Sequence, residues 1–196
     1  MDKVIIATTN AHKIEEIQAF LKSHKISFCS LADCAPVPPP VEDGKTFMEN
    51  SELKARYYSE KLNLPVLADD SGLVVKALNG EPGIKSARFA GENATGVDNN
   101  KLLMERLKGS ADRSAFFKCV LTLIIPKEKR IVFFVGKCDG KILNEYNNEV
   151  GFGYDPIFKP DGHDKSFSKM NQDEKNIISH RGIALRGLDK FLKSTF

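Results

Sequence analysis

Apolar positions change their period several times along the chain, and each change marks an element. The β-branched run KVIIAT (3–8) predicts a short buried strand. Asn10 stands where a helix cap belongs, and Ile14, Ile17 and Leu21 recur at helical spacing, so a helix is expected over about 11–23. ISFCSL (26–31) predicts a second strand. The prolines of APVPPPVEDG forbid helix and inner strand, leaving an ordered loop or an edge. Thr46 and Glu49 have capping-box spacing and open a helix that runs to about Leu62. PVLAD (65–69) reads as strand, and LVVKAL (73–78) either continues it or pairs with it. The DDSG between them carries a turn signal.

A long turn-rich loop, EPGIKSARFAGENATG, follows, and then a helix around NNKLLMERLKG with Gly109 as its C-cap. SAFFKCVLTLIIP and RIVFFVGKCDGKI are separated only by KEK and predict an antiparallel hairpin. GFGYDPIF (151–158) is a glycine-punctuated loop entering a short strand. A last helix, from about Ser179 to Lys193, shows Ala184, Leu188, Phe191 and Leu192 on one face. No repeat or linker interrupts this order. The pattern describes one α/β domain over 1–196, with a mixed sheet, helices packed on it and a hairpin extension.

Composition narrows the function classes. With 196 residues, 41% hydrophobic and 28% charged, this is an ordinary soluble globule. Lysine plus arginine exceeds aspartate plus glutamate only by 29 to 26, which argues against a nucleic-acid surface but leaves room for a local anion pocket. No apolar stretch is long enough for a signal peptide or a membrane span. The four cysteines have no CxxC or zinc spacing, and Cys119 sits in an apolar run as a small core residue. A reducing cytoplasm is the expected location.

Four places carry candidate chemistry. In ATTNAHK (7–13), a strand passes through small polar residues into a helix start, which aims free backbone N–H groups at one point. Lys13 in that first turn opposes the helix dipole unless an anion is bound. Equally, Thr9 and Asn10 could simply cap the helix with Lys13 in solvent. No Walker A pattern occurs. On the helix after Thr46, Phe47, Asn50, Ser51, Lys54 and Tyr58 share a face, so Lys54 either projects into a cleft or snorkels. Asp69 and Asp70 alternate faces in extended chain, which divides their roles: one acid reaches the site and the other is fixed by hydrogen bonds. Glu42 is a plausible partner for Asp70 on a hard cation such as Mg²⁺. Towards the C-terminus, Phe152 can stack on a heterocycle, while Asp155, His180 and Arg181 can read polar edges.

Six ordered segments, TTNAHKIEEI, TFMENSELKA, LADDSGL, GEPGIKSARF, GFGYDPIF and EKNIISHRG, resemble the inosine triphosphate pyrophosphatase family over essentially the whole chain. The resemblance implies an elongated, two-lobed α/β fold with a long central mixed sheet and an active-site cleft between the lobes, usually as a homodimer. It implies Mg²⁺-dependent hydrolysis of ITP, dITP and XTP to the monophosphate and pyrophosphate, and so cleansing of the nucleotide pool. Thr8, Thr9, Asn10, Ala11, His12 and Lys13 look like the family's triphosphate cradle, and Lys54 like its second phosphate lysine. Asp70 resembles the catalytic base and metal ligand, Glu42 its partner on the metal, and Ser71 a substrate contact. Phe152, Gly153, Tyr154 and Asp155 resemble the loop over the nucleobase. Lys175, His180 and Arg181 resemble the remaining contacts, the last two at the purine 6-oxo edge. The family often has GTGG before FGYDP, whereas this chain has NNEVGFGYDP, and Glu149 and Val150 predict a stiffer loop.

The expected reaction has Asp70 activating a water that attacks the α-phosphorus, with Lys13, Lys54 and Lys175 neutralising the phosphates. A 6-oxo group is an acceptor that His180 or Arg181 meets with a donor. An adenine amino group would leave those donors unpaired at about 1–3 kcal/mol each. Guanine shares the 6-oxo group, so its exclusion must rest on something else, such as its 2-amino group. Two rivals use the same scaffold: a non-catalytic purine-nucleotide-binding protein, and a phosphatase releasing orthophosphate.

Overall fold

The computed structural model describes residues 1–149 and 151–196; Val150, and with it the stiffening expected there, lies outside the described residues. Strand β1 (Lys3–Ala7) is buried after its first residue, as an unbroken β-branched run in a parallel arrangement should be. It pairs in parallel with β2 (Ser27–Ser30), Lys3 opposite Ser27, and with β3 (Val66–Val75), Ile5 opposite Val66. Helix α1 (Ala11–Leu21) ends two residues earlier than its apolar spacing suggests. Helix α2 (Phe47–Leu62) starts at Thr46, whose side chain accepts from the Glu49 N–H. The expected capping box is only half formed, because the Glu49 carboxylate accepts from the Lys45 N–H instead of the Thr46 N–H.

The largest difference concerns DDSG. It is not a turn: β3 runs unbroken through Asp69, Asp70, Ser71 and Gly72. Gly72 explains why the strand tolerates those residues. A Cβ there would meet the Gly83 carbonyl and the Ser86 side chain, so glycine serves close packing rather than chain reversal.

Helix α3 (Gly96–Arg106) starts with a Thr95–Asp98 capping box and ends before Gly109, which takes φ +79 in the following turn. Strands β4 (Ser114–Ile125) and β5 (Arg130–Ile142) are hydrogen-bonded neighbours joined by a turn at Pro126–Glu128. So short a connection requires the antiparallel hairpin. β6 (Phe158–Pro160) pairs antiparallel with β5. The sheet order is β2-β1-β3-β4-β5-β6, a mixed six-stranded sheet in an α/β fold. Before the last helix lies one the apolar pattern does not predict, α4 (Gln172–Ile178), opened by an Asn171–Glu174 capping box. Helix α5 (His180–Thr195) then closes the chain. No helix among the described residues is long and apolar enough to cross a membrane.

By their contacts the residues form two compact units. The first holds 1–70, 119–135 and 184–196; the second holds 71–118 and 136–183. In the first, Val4, Ile6, Ile17, Leu21, Leu121 and Leu188 share one core, and Ile5, Ala7, Ala55, Tyr58, Val66 and Ala68 another. In the second, Leu73, Leu103, Phe117, Tyr154, Phe158 and Phe167 form the core.

Within the first unit, the turn after α1 meets α5 at an acid. Asp189 accepts from His24 Nε2 at 2.8 Å and from Lys193 Nζ at 2.9 Å. Lys193, with His24, holds the Asp189 carboxyl below the usual carboxylate range. A lowered folded value means that this stability is present above the ordinary carboxylate range and is lost as the pH falls through the folded value. Solvent screens the pair, so the contribution is small. Asp189→Asn is expected to lower Tm near pH 7 and to lower it much less at a pH acid enough to protonate the wild-type carboxyl. Equal losses at both pH values would show that shape, not charge, holds these helices.

Candidate active site

In the first unit, the β1–α1 junction is built by its own side chains. The Thr8 hydroxyl accepts from the Asn10 N–H, and the Asn10 side chain accepts from the Lys13 N–H. Thr9, Ala11 and His12 are exposed, and no acidic residue occupies the first turn of α1. Lys13 does not point into solvent: its ammonium is paired with Asp69 of β3. Asp69 is 1% exposed and also accepts from the Cys119 thiol at 3.3 Å. So the first acid of the pair is fixed from two sides, as strand alternation requires, and it holds Lys13 in place.

The second acid faces differently. Lys54 Nζ donates to Asp70 Oδ1 at 3.0 Å and to Glu42 Oε2 at 2.9 Å, so one ammonium draws two carboxylates to one point. Burial alone would depress the Lys54 ammonium, but Asp70 and Glu42 outweigh it and hold the group above its ordinary value. At Asp70 burial outweighs the pull of Lys54 and raises the carboxyl. A carboxyl so raised is a better proton acceptor than an exposed one. Helix α2 is pinned beside these acids: Ser51 donates to the Ala68 carbonyl at 3.2 Å and accepts from Thr122 at 2.8 Å.

Asp70 Oδ2 is buried and has no protein partner. An orphaned carboxylate oxygen beside a second carboxylate suits a hard divalent cation, which takes one or two carboxylates and fills its remaining positions with water or phosphate oxygens. Among the described residues no group of three or more His, Cys, Asp or Glu could hold a metal. Glu42 and Asp70 therefore fit an open divalent-cation site of two carboxylates, not a closed structural one.

The second unit gathers a different set. Lys175 Nζ donates to Asp155 Oδ2 at 2.6 Å and lies 5.9 Å from the centre of the Phe152 ring. Its ammonium thus lies beside residues of the GFGYD loop within the second unit. Both members of the pair are buried. Tyr154 donates to the Ser86 carbonyl at 2.9 Å, and burial raises its phenol further into the donor form. His180, 6% exposed, stacks on Phe117 with centroids 4.6 Å apart. Arg181, 4% exposed, donates to the Ser71 hydroxyl at 3.0 Å. Before the loop, Glu149 pairs with Lys169 at 3.2 Å.

The structure thus sorts the candidates into two sets. Lys13, Lys54, Glu42, Asp69 and Asp70 meet in one unit; Ser71, Phe152, Tyr154, Asp155, Lys175, His180 and Arg181 in the other. Reading the sequence missed the Cys119 contact to Asp69 and the buried Asn99 and Asn100 of α3. Adjacent asparagines in a helix interior, where their propensity is poor, are the signal that could have found the latter.

A Ham1 family model matches residues 4–191. The chain is 47% identical to a dITP/XTP pyrophosphatase of Desulfotalea psychrophila, over 93% of this chain and 81% of that one. It is 45% identical to a dITP/XTP pyrophosphatase of Thermoanaerobacter pseudethanolicus, over 97% and 96%. Among solved structures it is similar to a HAM1 protein from Coxiella burnetii (TM-score 0.91, 38% identity) and to the Staphylococcus aureus Ham1 protein (TM-score 0.90, 37% identity), each covering 100% of both chains.

Proposed function

The chain belongs to the Ham1 family, and we propose that it is a nucleoside triphosphate pyrophosphatase that hydrolyses dITP, ITP and XTP to the monophosphate and pyrophosphate. The observation that carries this reading is the Lys54 ammonium joining Glu42 and Asp70, with one Asp70 oxygen buried and unpartnered. It supports charged-phosphate chemistry at a carboxylate, in a chain similar to enzymes of that name.

In this reading the junction 8–13, with Lys13 braced by Asp69, and Lys54 bind the triphosphate. Asp70 takes the proton of a water whose oxygen bonds to the α-phosphorus as the bond to the β-phosphate oxygen breaks. Pyrophosphate leaves. Mg²⁺ on Glu42 and Asp70 supplies charge neutralisation at the phosphate oxygens when bound. Phe152 stacks on the base, and His180 and Arg181 donate to its 6-oxo group, with Arg181 steadied by Ser71. The reading includes a single domain, a homodimer and a cytoplasmic location; four free thiols are consistent with a reducing compartment.

Product analysis tests it. ITP, XTP, ATP and GTP are incubated with and without Mg²⁺, and pyrophosphate is separated from orthophosphate. Pyrophosphate from ITP and XTP, only with Mg²⁺ and with ATP and GTP nearly untouched, is the expected result. Orthophosphate would replace the reading by a phosphatase. No product despite binding would replace it by a nucleotide-binding protein.

A further inference from the structure

Asn99 and Asn100 lie in the middle of α3 at 5% and 1% exposure, where two apolar side chains would pack without desolvating an amide. Asn99 has a local explanation. Its Oδ1 accepts from the Ala90 N–H at 2.8 Å and its Nδ2 donates to the Ala87 carbonyl at 3.1 Å, which folds the 87–90 turn onto the helix. Both halves of its amide are used.

Asn100 is different. Its Nδ2 donates to the Gly153 carbonyl at 3.0 Å, 53 residues away, while its Oδ1 is buried with no protein partner. A polar side chain buried with half its capacity unmet is costly, so stability alone does not account for it. What the bond does is local to the loop. Gly153 takes φ +55, a conformation that glycine reaches without steric cost and that turns its carbonyl towards α3. One turn of helix earlier, Gly96 faces the same backbone: a Cβ built on it lies 3.6 Å from the Gly153 carbonyl oxygen and 4.0 Å from that of Gly151. Helix α3 therefore provides a flat floor under 151–153, and Asn100 supplies its directional bond. The other loop anchors act further along, Tyr154 on Ser86 and Asp155 on Lys175. Within the turn itself the Asp155 N–H donates to the Phe152 carbonyl at 3.1 Å, and Asn100 holds the next carbonyl, that of Gly153, from the helix side.

We infer that Asn100 is a positioning residue that sets the Phe152 ring against the purine by fixing the Gly153 carbonyl, and so contributes to base affinity without touching the phosphates. The inference rests on the function proposed above. Asn100→Asp keeps the side chain's shape and replaces the donor by an oxygen facing a carbonyl; Asn100→Ala removes it. The expected result for each is a KM for ITP raised about tenfold, as loss of one bond implies, with kcat changed less than twofold. The affinity for IMP, read by calorimetry, falls by the same factor, and the affinity for inorganic pyrophosphate does not. In a Phe152→Ala background, Asn100→Ala adds little, because the ring it positions is gone.

Three results would overturn the inference. One is an unchanged KM and IMP affinity in both variants. Another is an equal loss of pyrophosphate affinity. The third is full additivity with Phe152→Ala, the mark of a merely structural role. Wild-type protein that releases no pyrophosphate from ITP and binds no IMP would overturn the function and the inference together. Wild-type protein that does both, beside unmoved variants, would overturn only the inference.

Discussion

Asp70→Asn is expected to lower pyrophosphate release from ITP by about 10³-fold, the middle of the range for removing a general base, with the fold retained. Asparagine preserves the shape, and its Oδ1 still accepts from Lys54, which keeps Glu42 as its second partner. What disappears is the negative charge and the proton-accepting oxygen that the structure leaves buried and unpartnered. The chain around it does not depend on that charge: β3 is held by its pairing with β1 and by the Ser51 bond to Ala68. Single-turnover measurement with ITP, beside Tm and nucleotide affinity, checks this. Loss of turnover with binding and Tm preserved assigns the chemical step to Asp70. Activity within tenfold of wild type would remove Asp70 from that role and leave it as a structural partner of Lys54. Asp69→Asn makes an informative companion, since it loosens Lys13 while leaving Asp70 in place; its loss should fall mainly on KM.

The difference between the two acids shows what the residues alone disclosed. Alternation along an extended chain required Asp69 and Asp70 to face opposite ways, and they do, whatever the local turn signal. Of continuation and pairing, the structure has continuation, although Asp, Ser and Gly favour reversal in isolation. Here sheet pairing and the close approach of Gly83 and Ser86 to Gly72 override that preference. Helix α4 was overlooked for the opposite reason. NQDEKNII has a capping box but almost no apolar stripe, and its Lys175 pairs with Asp155, a contact between residues 20 apart. Lys13 and Lys54 were legible as site cations by their place at a helix start and on a mixed helix face. That each arrives paired with a carboxylate was not legible, because ion pairs between segments 56 and 16 residues apart leave no local trace.

Gly182→Ala is expected to cost about 3 kcal/mol or more, the upper range for overpacking, because its added methyl meets backbone more closely than at any other described glycine. The cause lies where α4 meets α5. Ser179 closes α4 by donating its N–H to the Lys175 carbonyl at 2.8 Å, and opens α5 by accepting from the Gly182 N–H at 3.0 Å. So sharp a junction presses the first turn of α5 onto the last turn of α4. A Cβ on Gly182 would overlap the Asn176 carbonyl oxygen and crowd its carbon at 2.8 Å. These are backbone atoms, so no side chain can swing aside. Relief requires the two helices to part, and His180 and Arg181 stand on the two residues immediately before. Stability and base recognition should therefore fail together: a lower Tm, a raised KM for ITP, and lost contact between Arg181 and Ser71. Gly187→Ala in the same helix is the control. Its nearest neighbour would be the Phe134 ring at 3.4 Å, an ordinary contact, and alanine there should be neutral or stabilising by up to about 1 kcal/mol. A Gly182→Ala protein with wild-type Tm would mean that the α4–α5 junction is free to open. In that case the contacts of His180 with Phe117 and of Arg181 with Ser71 would be set by something other than this turn.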